Sequence, residues 1–363
     1  MKALALVDAP DHVCCRYRVR AFEPALEAAG GSLTVQGIAR GTVARWRQLG
    51  RSAAFDSVLL QRKLLPGWQL RRLRRHARTL VFDFDDAVLF RDSYDPRGPN
   101  CRRRAARFSA TVQCADAVIA GNDFLADCAL RAGARPERVR VIPTCIDTGR
   151  YHPSTRSDER TGLDLVWIGS SSTLQGLERQ RPLLERIGRE VPGARLRMIC
   201  DRFLRFEALP VVDVRWDAAT ETDELSASDA GLAWSPDDLW SRGKCGLKIL
   251  QYQAAGLPVL ANPVGVQAEM VEHGVSGFLA TSEDEWVEAA RRLALDPALR
   301  KAMGRSARAS VETGYTIAAW AGTFVTAVAP SRPARASARS GRFDPCHSAG
   351  RRTTAGRSRV EHS

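Results

Sequence analysis

The sequence lacks the features that mark membrane-spanning and disulfide-rich proteins. No window approaches the ~18 uncharged apolar residues of a membrane span. The opening MKALALVDAP is too short an apolar run for a signal peptide. The nine cysteines are scattered without a C-x-x-C pair, so they predict neither a disulfide framework nor a zinc site. We therefore expect a cytoplasmic protein without a membrane span.

The chain is long enough for more than one domain, rich in apolar residues and positively charged. Its 363 residues predict two domains, and an apolar content of 44% is enough for two cores. The net charge is +13; the tail at 331–363 carries +6, from eight arginines against two acids, which leaves +7 for the rest. Because the tail has no hydrophobic periodicity, we interpret it as a disordered Arg/Ser-rich extension rather than a nucleic-acid-binding arm.

The remaining positive charge is concentrated in two runs, RRLRRHAR at 71–78 and CRRRAAR at 101–107. Such runs are usually solvated helix faces, but they could also hold the protein against an anionic membrane or an anionic acceptor. The sequence leaves both interpretations open, with peripheral contact on the inner face of the membrane as one expectation. No nucleic acid is expected as a partner.

Short β-like runs alternate with helical patterns along both halves of the chain. The predicted strands are 3–7, 57–61, 79–83, 117–120 and 139–142, then 163–169, 195–200, 211–216, 231–235, 258–261 and 277–280. This alternation predicts parallel sheets covered on both faces. The polar segment 142–162 predicts an interdomain linker. We therefore predict an α/β protein of two tandem doubly wound, Rossmann-like units with a ligand site in the cleft between them.

The most informative stretch is RGKCGLKILQYQAAGLPVLANPVG, which places three cations at the start of an apolar helix. Lys244 and Lys248 are four residues apart and would share a helix face with Arg242 nearby. Cations are disfavoured at a helix N-terminus unless an anion binds there. The turn WIGSSSTLQG adds Gly169 and Ser170 at a second place where phosphate is bound in such folds. Together these residues predict a diphosphate site, the alternative being surface lysines beside an ordinary turn.

The stretch KILQYQAAGLPVLANPVGVQAEMVEHGVSGFLA resembles the donor-site segment of family 4 glycosyltransferases, which have the GT-B fold. VRVIPTCIDTGRYHP resembles the interdomain segment of that family, and RGKC-x-x-K-x-x-Q-Y resembles the motif of one subgroup. The resemblance implies an acceptor domain at 1–155 and a nucleotide-sugar domain at 156–312. A crossover helix at 313–330 would return to the first domain, before the tail at 331–363.

The resemblance also implies a reaction: a hexosyltransferase that moves a sugar from a nucleoside-diphosphate sugar to a glycan, lipid-linked or small-molecule hydroxyl. It implies retention of anomeric configuration and no metal or other cofactor. Lys248 would contact the diphosphate, with Arg242 or Lys244 as a second cation, and Gly169 and Ser170 would lie beneath the phosphates. Fixed cations suit this reaction because negative charge develops on the departing phosphate.

Three further residues complete the expected donor site. Gly265, Val266 and Glu269 lie in the glycine turn and helix that follow the apolar run. The Glu269 carboxylate could accept hydrogen bonds from sugar hydroxyls or simply complement the helix dipole.

The sequence departs from the family at the acid pair of the donor site. Gln251 stands where a ribose-binding acid is expected, and Gly243 stands where the other acid of the E-x7-E pair is expected. A glutamine can hydrogen-bond a ribose hydroxyl but supplies no carboxylate. Asp237 and Asp238 are candidates to replace the missing acid, or capping acids. Two other functions stay open: an inactive nucleotide-sugar or glycan-binding protein of the same fold, and a nucleotide-sugar epimerase.

A cluster of acids ends a predicted strand of the first half, in VFDFDDAVLFRD (81–92). Asp83, Asp85 and Asp86 resemble the D-x-D motif that holds a divalent metal in GT-A enzymes, and they could also be turn-forming acids. We favour Asp85 or Asp86 as a catalytic residue that faces the cleft and binds or deprotonates the acceptor. His12, just after the first strand, is a further candidate of this kind.

Overall fold

The structure is a computed structural model that describes residues 1–153 and 162–329. Within these ranges the chain forms two six-stranded sheets in which every paired strand is parallel. The prediction of two tandem parallel-sheet units is therefore confirmed. The Arg/Ser-rich tail at 331–363 lies outside the described residues, as does the expected domain boundary at 155.

The first sheet has the strand order β2-β1-β3-β4-β5-β6. The elements of this half are β1 (Lys2–Val7), α1 (Val13–Arg18), α2 (Glu23–Ala28), β2 (Ser32–Gly37), α3 (Thr42–Arg51), β3 (Ser57–Gln61), α4 (Gly67–His76), β4 (Thr79–Phe84), α5 (Arg102–Cys114), β5 (Ala117–Ala120), α6 (Asp123–Arg131) and β6 (Val139–Val141).

The second sheet has the strand order β12-β11-β10-β7-β8-β9. Its half contains β7 (Leu163–Ile168), α7 (Leu174–Arg179), α8 (Arg181–Glu190), β8 (Ala194–Cys200), β9 (Val211–Arg215), α9 (Glu221–Ser226), β10 (Ala230–Ala233), α10 (Leu239–Arg242), α11 (Leu247–Ala254), β11 (Val259–Ala261), α12 (Gln267–Met270), β12 (Gly277–Leu279), α13 (Glu283–Leu295), α14 (Pro297–Gly314) and α15 (Ile317–Val328).

Both faces of the sheets are covered, which explains why the central strands are continuous apolar runs. In β1, Leu4 and Leu6 belong to one core cluster, while Ala3 and Ala5 belong to the cluster on the opposite face. Because successive side chains of a strand alternate in direction, a strand covered on both faces needs apolar residues at every position.

The last helix of the described chain, α15, packs against the first sheet. Phe324 stacks on Phe22 with their ring centroids 4.3 Å apart, and Val328 joins the same core cluster. Just before this helix, the Tyr315 carbonyl accepts a hydrogen bond from the Ile146 backbone N–H at 2.9 Å. The chain thus returns to its first half. The expected boundary at 312 falls in the last turn of α14.

None of the helices within 1–153 and 162–329 combines the length and the apolar character needed to cross a membrane.

Candidate functional site

The candidate donor site lies at the carboxyl end of β7, where the strand order of the second sheet reverses. In parallel α/β sheets, ligands bind at this point. Lys248 of α11 places its Nζ 4.0 Å from the ring centroid of Trp167, the penultimate residue of β7. A Cβ atom on Gly169 would lie only 2.4 Å from the same ring, so a side chain there would displace the tryptophan. The Ser170 backbone N–H donates to the Thr173 hydroxyl at 3.3 Å and stays within this turn.

Trp167 is the residue of this site that sequence reasoning missed. It contacts Lys248 and underlies the turn at Gly169, so it brings together two predicted residues that are far apart in the chain. A tryptophan two residues before a glycine turn was the available signal, but an aromatic residue in an apolar strand is usually a core residue.

Lys248 differs electrostatically from the other cations of its motif. Lys244 Nζ lies 2.8 Å from Asp86 Oδ1, and Arg242 Nε lies 2.8 Å from Asp237 Oδ1. Lys248 has no carboxylate partner among the described residues. Burial, reinforced by the charge of Lys244, lowers the pKa of Lys248 to about 7. An anion bound beside this ammonium group would offset the free-energy cost of burying its charge.

The segment before α11 crosses to the first half of the chain. Cys245 is buried there, and its Sγ donates to the Asp85 carbonyl at 3.3 Å. A Cβ atom on Gly243 would lie 2.6 Å from the Cβ of Ala87. Gly243 therefore permits a close contact between the two halves. It also leaves no room for a side chain at the position where the family's first acid is expected.

The other predicted donor residues surround a cavity of about 290 Å³. Gly265, Val266, Glu269 and Arg242 line it, and Phe124 of the first half closes one side. Gly265 has φ +56, in the left-handed region that favours glycine, and a Cβ there would lie 3.1 Å from the Arg242 Cα. Glu269 is exposed. The structure thus brings these four predicted residues together.

Gln251 belongs to a buried polar network beside the linker. Its Nε2 donates to the Tyr17 hydroxyl at 3.5 Å, and that hydroxyl lies 3.0 Å from the hydroxyl of Tyr151. Tyr151 donates to Glu221 Oε1 at 2.9 Å, and Trp216 Nε1 donates to Glu221 Oε2 at 2.7 Å. This network joins the two halves of the chain. A role for Gln251 as a ribose ligand stays a prediction.

The acids at the end of β4 are held by arginines. Arg18 Nη2 lies 2.5 Å from Asp83 Oδ1, and both side chains are fully buried. Arg62 forms an ion pair with Asp86, and its Nε lies 3.5 Å from Asp85 Oδ1. Asp85 Oδ1 is buried and accepts no hydrogen bond from the described residues. Both oxygens of Asp86 have close cationic partners, so of the two predicted catalytic acids Asp85 is the one with an oxygen that makes no hydrogen bond in the described residues.

The same cluster bears on the metal alternative. Cys14, Asp85 and Asp86 each place one ligand atom within 4.8 Å of the others. The Arg62 guanidinium lies among them, because it pairs with Asp86 and donates to Cys14 Sγ. Burial, followed by the charge of Asp85, raises the pKa of Cys14 and so disfavours the thiolate that a metal needs. This donor set fits a divalent cation poorly.

Two other candidates cap helices. His12 Nδ1 accepts a hydrogen bond from the Cys14 backbone N–H at 3.2 Å, at the exposed start of α1. Asp238 Oδ1 accepts one from the Ser241 backbone N–H at 2.8 Å, at the start of α10. Both side chains thus have a structural role as helix caps. A role for either residue in catalysis stays a prediction.

A larger, mostly apolar cavity of about 640 Å³ adjoins the smaller one. Phe90, Phe108 and Leu239 are among the residues that line it, and it shares Phe124 and Arg242 with the smaller cavity. It lies between α5 and α6, with Leu239 contributed by the second half. The sequence did not predict this cavity, because its lining residues come from separate helices and loops.

The known proteins that this chain resembles in sequence are glycosyltransferases. Residues 179–326 match a family model described as "Glycosyl transferase-like". The chain is 29% identical over 248 residues to a D-inositol 3-phosphate glycosyltransferase of Actinosynnema mirum, which covers 59% of this chain and 57% of that protein. It is 28% identical over 243 residues to a protein of the same name from Saccharomonospora viridis, covering 58% and 54%. The chain thus spans little more than half the length of these curated relatives.

Solved structures with the same fold cover nearly the whole chain. One is Anabaena HepE in complex with UDP and glucose, at 18% identity and a TM-score of 0.63, covering 90% of this chain and 98% of that one. Another is sucrose-phosphate synthase from Thermosynechococcus elongatus, at 14% identity and a TM-score of 0.68, covering 90% and 97%. The two parallel sheets and these likenesses confirm the GT-B fold. The assignment to family 4 and to the RGKC subgroup stays a prediction.

Proposed function

We propose that this protein, which has the GT-B fold, is a glycosyltransferase that moves a sugar from a nucleoside-diphosphate sugar to a hydroxyl group. The acceptor would be a glycan, a lipid-linked molecule or a small molecule in the cytoplasm. The observation that carries the proposal is Lys248, a partly buried cation without a carboxylate partner among the described residues, beside the glycine turn at Gly169. A diphosphate supplies the negative charge that this position lacks.

The proposed donor site favours departure of the nucleoside diphosphate. Lys248 would bind the phosphate oxygens on which negative charge develops, and the backbone at Gly169 and Ser170 would approach them closely. Lys244 and Arg242 are already paired with aspartates, so we assign them a secondary role. A front-face reaction with retention needs no protein nucleophile, because the leaving phosphate itself helps to deprotonate the acceptor.

The acceptor side of the proposed reaction lies at the carboxyl ends of β1, β3 and β4. Asp85 is the acid that we propose to accept a hydrogen bond from the acceptor hydroxyl, since its Oδ1 accepts no hydrogen bond from the described residues and its ion-pair partner Arg62 Nε lies 3.5 Å away. Arg62, held in a left-handed backbone conformation at φ 58, keeps Asp86 and Asp85 in place. Backbone strain of this kind is common at functional sites. We propose that the reaction needs no metal.

One observation favours a second candidate, an inactive nucleotide-sugar-binding protein. The contact between Gly243 and Ala87 excludes an acid at the position where the family has one. Such a protein would keep the diphosphate site and lose turnover.

The test is nucleotide release from UDP-, GDP- and ADP-sugars, with and without EDTA, beside donor binding by calorimetry. UDP-glucose comes first, because the related Anabaena structure contains UDP and glucose. Release that resists EDTA supports the metal-free proposal, and release abolished by EDTA contradicts it in favour of the Asp85–Asp86 cluster. Binding without release in the presence of varied acceptors supports the second candidate. Absence of binding to every donor contradicts both.

The lowered pKa of Lys248 predicts that nucleotide binding depends on pH. Because the pKa is about 7 in the free protein and a bound diphosphate raises it, binding above pH 7 takes up a proton. We expect affinity for UDP to fall by up to about tenfold per pH unit above pH 7. Calorimetry in buffers of different ionisation enthalpy measures the proton uptake.

The matched control is Lys248→Arg, whose guanidinium stays charged at these pH values. Its affinity is expected to be almost independent of pH above 7, which also separates the lysine from the titration of the nucleotide. Equal pH dependence in the two proteins would contradict the assignment.

A further inference from the structure

Three neighbouring helices of the first half, α3, α4 and α5, combine eleven arginines with no acid. Arg74 pairs with Asp116, but most of the others have no carboxylate partner. The exposed arginines of these three helices that form no ion pair in the described part of the chain are Arg47, Arg51, Arg71, Arg75, Arg102, Arg103 and Arg104. This face therefore carries a concentrated positive charge that the folded chain does not neutralise.

The same face exposes large apolar side chains. Trp46 of α3 and Trp68 of α4 are 39% and 41% exposed, and their ring centroids lie 5.4 Å apart. Val43 is 63% exposed and lies one helical turn before Trp46. Of the eight large hydrophobic side chains that are exposed in the described residues, three are in this cluster. Leaving such side chains in water is unfavourable unless a partner covers them.

We propose that this arginine–tryptophan face, formed by α3, α4 and the first turn of α5, binds an anionic lipid bilayer. Arginines attract anionic headgroups, and each one near the surface strengthens binding by about fivefold. Tryptophan is favoured at the boundary between headgroups and acyl chains, where one end of its ring is apolar and the other is hydrated. An amphipathic surface with basic and tryptophan side chains is typical of proteins that lie on a membrane.

The geometry of the aromatic pair favours a bilayer over a nucleic acid. The Arg72 guanidinium lies 4.0 Å from the ring centroid of Trp46, and Arg72 Nε donates to the Trp46 carbonyl at 2.9 Å. Trp68 is tilted against the same ring. Stacking of a nucleic-acid base needs a free ring face, and the Arg72 guanidinium occupies one face of Trp46. Insertion into headgroups uses ring edges and the aliphatic Val43 instead.

The arginine–tryptophan face lies near the acceptor side of the cleft. Helices α3, α4 and α5 begin after β2, β3 and β4, so their first turns lie towards the carboxyl edge of the sheet, where Arg62 and Asp85 are located. A bilayer on this face would lie beside the acceptor side of the cleft. An acceptor carried by the membrane would then reach the site directly. This last step rests on the proposed function, whereas bilayer binding does not.

The test is co-sedimentation of the full-length chain with vesicles of phosphatidylcholine alone or mixed with phosphatidylglycerol. Arg71→Gln combined with Arg75→Gln removes two charges from the face. Arg189→Gln combined with Arg305→Gln removes two charges from exposed positions of α8 and α14 in the other half. Both variants keep the tail at 331–363, so its contribution is equal. We expect the first variant to bind phosphatidylglycerol vesicles about 25-fold more weakly and the second to bind like wild type.

A second variant, Trp46→Ala with Trp68→Ala, tests the apolar part. It is expected to weaken vesicle binding about tenfold while the dependence on salt is retained. UDP affinity by calorimetry should stay unchanged in all variants, which separates this proposal from the proposed function. If the wild-type chain binds UDP, unchanged affinity also shows that each variant is folded. Thermal unfolding reports folding in any case.

Three results would overturn the proposal. One is absence of binding to phosphatidylglycerol vesicles by the wild-type chain. Another is equal weakening by the two pairs of arginine substitutions, which would reduce the effect to net charge. The third is binding of single-stranded RNA that depends on Arg71 and Arg75 without binding of vesicles.

Discussion

Replacement of Lys248 by methionine is expected to lower kcat/KM for nucleotide release from the sugar donor by about 100- to 1,000-fold. The substitution keeps most of the side-chain volume against Trp167 and removes the charge that would face the departing phosphate. Steady-state kinetics over a range of donor concentrations measures the change. A loss in kcat assigns the charge to the transition state, while a loss confined to KM assigns it to donor binding.

The same substitution is expected to leave the protein as stable as wild type, or more stable. Because burial lowers the pKa of Lys248, the folded state disfavours its charged form relative to the unfolded chain. Ligand-binding residues commonly lower the stability of the folded protein, so a substitution that removes function can also raise stability. Thermal unfolding therefore distinguishes a specific loss from misfolding. Arg305→Met, at an exposed position of α14, is the control and should retain activity; Lys248→Met with wild-type kinetics would contradict the donor site.

Asp83→Ala is expected to lower the free energy of unfolding by about 3–5 kcal/mol. Asp83 and Arg18 are 0% and 1% exposed, and their atoms approach to 2.5 Å. Without the carboxylate, the buried guanidinium keeps its bond to the Ile142 carbonyl at 2.6 Å but loses the one carboxylate that pairs with it in the described residues. An uncompensated buried charge is far more costly than the loss of an exposed pair. Urea unfolding followed by circular dichroism measures the change.

A pair with similar geometry at the surface supplies the control. Arg205 and Asp213 form two hydrogen bonds, at 2.8 and 2.6 Å, with side chains that are 66% and 35% exposed. Asp213→Ala should cost less than about 1 kcal/mol. Arg18→Met combined with Asp83→Leu should recover much of the stability lost in Asp83→Ala, since it removes both charges. Equal costs for the two single alanine substitutions would show that burial does not decide the effect.

The sequence predicted most strands of both sheets but missed β2. Ser32–Gly37 has the sequence SLTVQG, and it forms the edge strand of the first sheet. An edge strand is only partly covered, so its apolar residues alternate with polar ones and form no continuous run. The predicted strands 3–7, 57–61 and 79–83 lie in the interior of the sheet, where both faces are buried. The other edge strands, β6, β9 and β12, were recognised, and the partly buried β6 and β9 are rich in valine. Burial and β-branched composition together therefore decided which strands could be recognised.

In the candidate site, local patterns revealed some residues and tertiary packing decided how they come together. Lys248 and Gly169 were predicted because a cation at a helix start and a glycine at a strand end are local patterns. Their common contact with Trp167 depends on how α11 packs beside β7, which no local pattern records. The exposed pair Trp46 and Trp68 arises in the same way, from the packing of α3 against α4.

The sequence by itself determined the alternation of strands and helices, the two α/β units and the glycine turns that end their strands. These properties follow from periodicity and backbone preference over a few residues. Only the tertiary structure decided which charges neutralise one another. Lys244 and Asp86 are 158 positions apart, yet they pair at 2.8 Å, and Lys248 is left without such a partner in the described residues. Charge pairing depends on distance and burial in space, and the fold sets both.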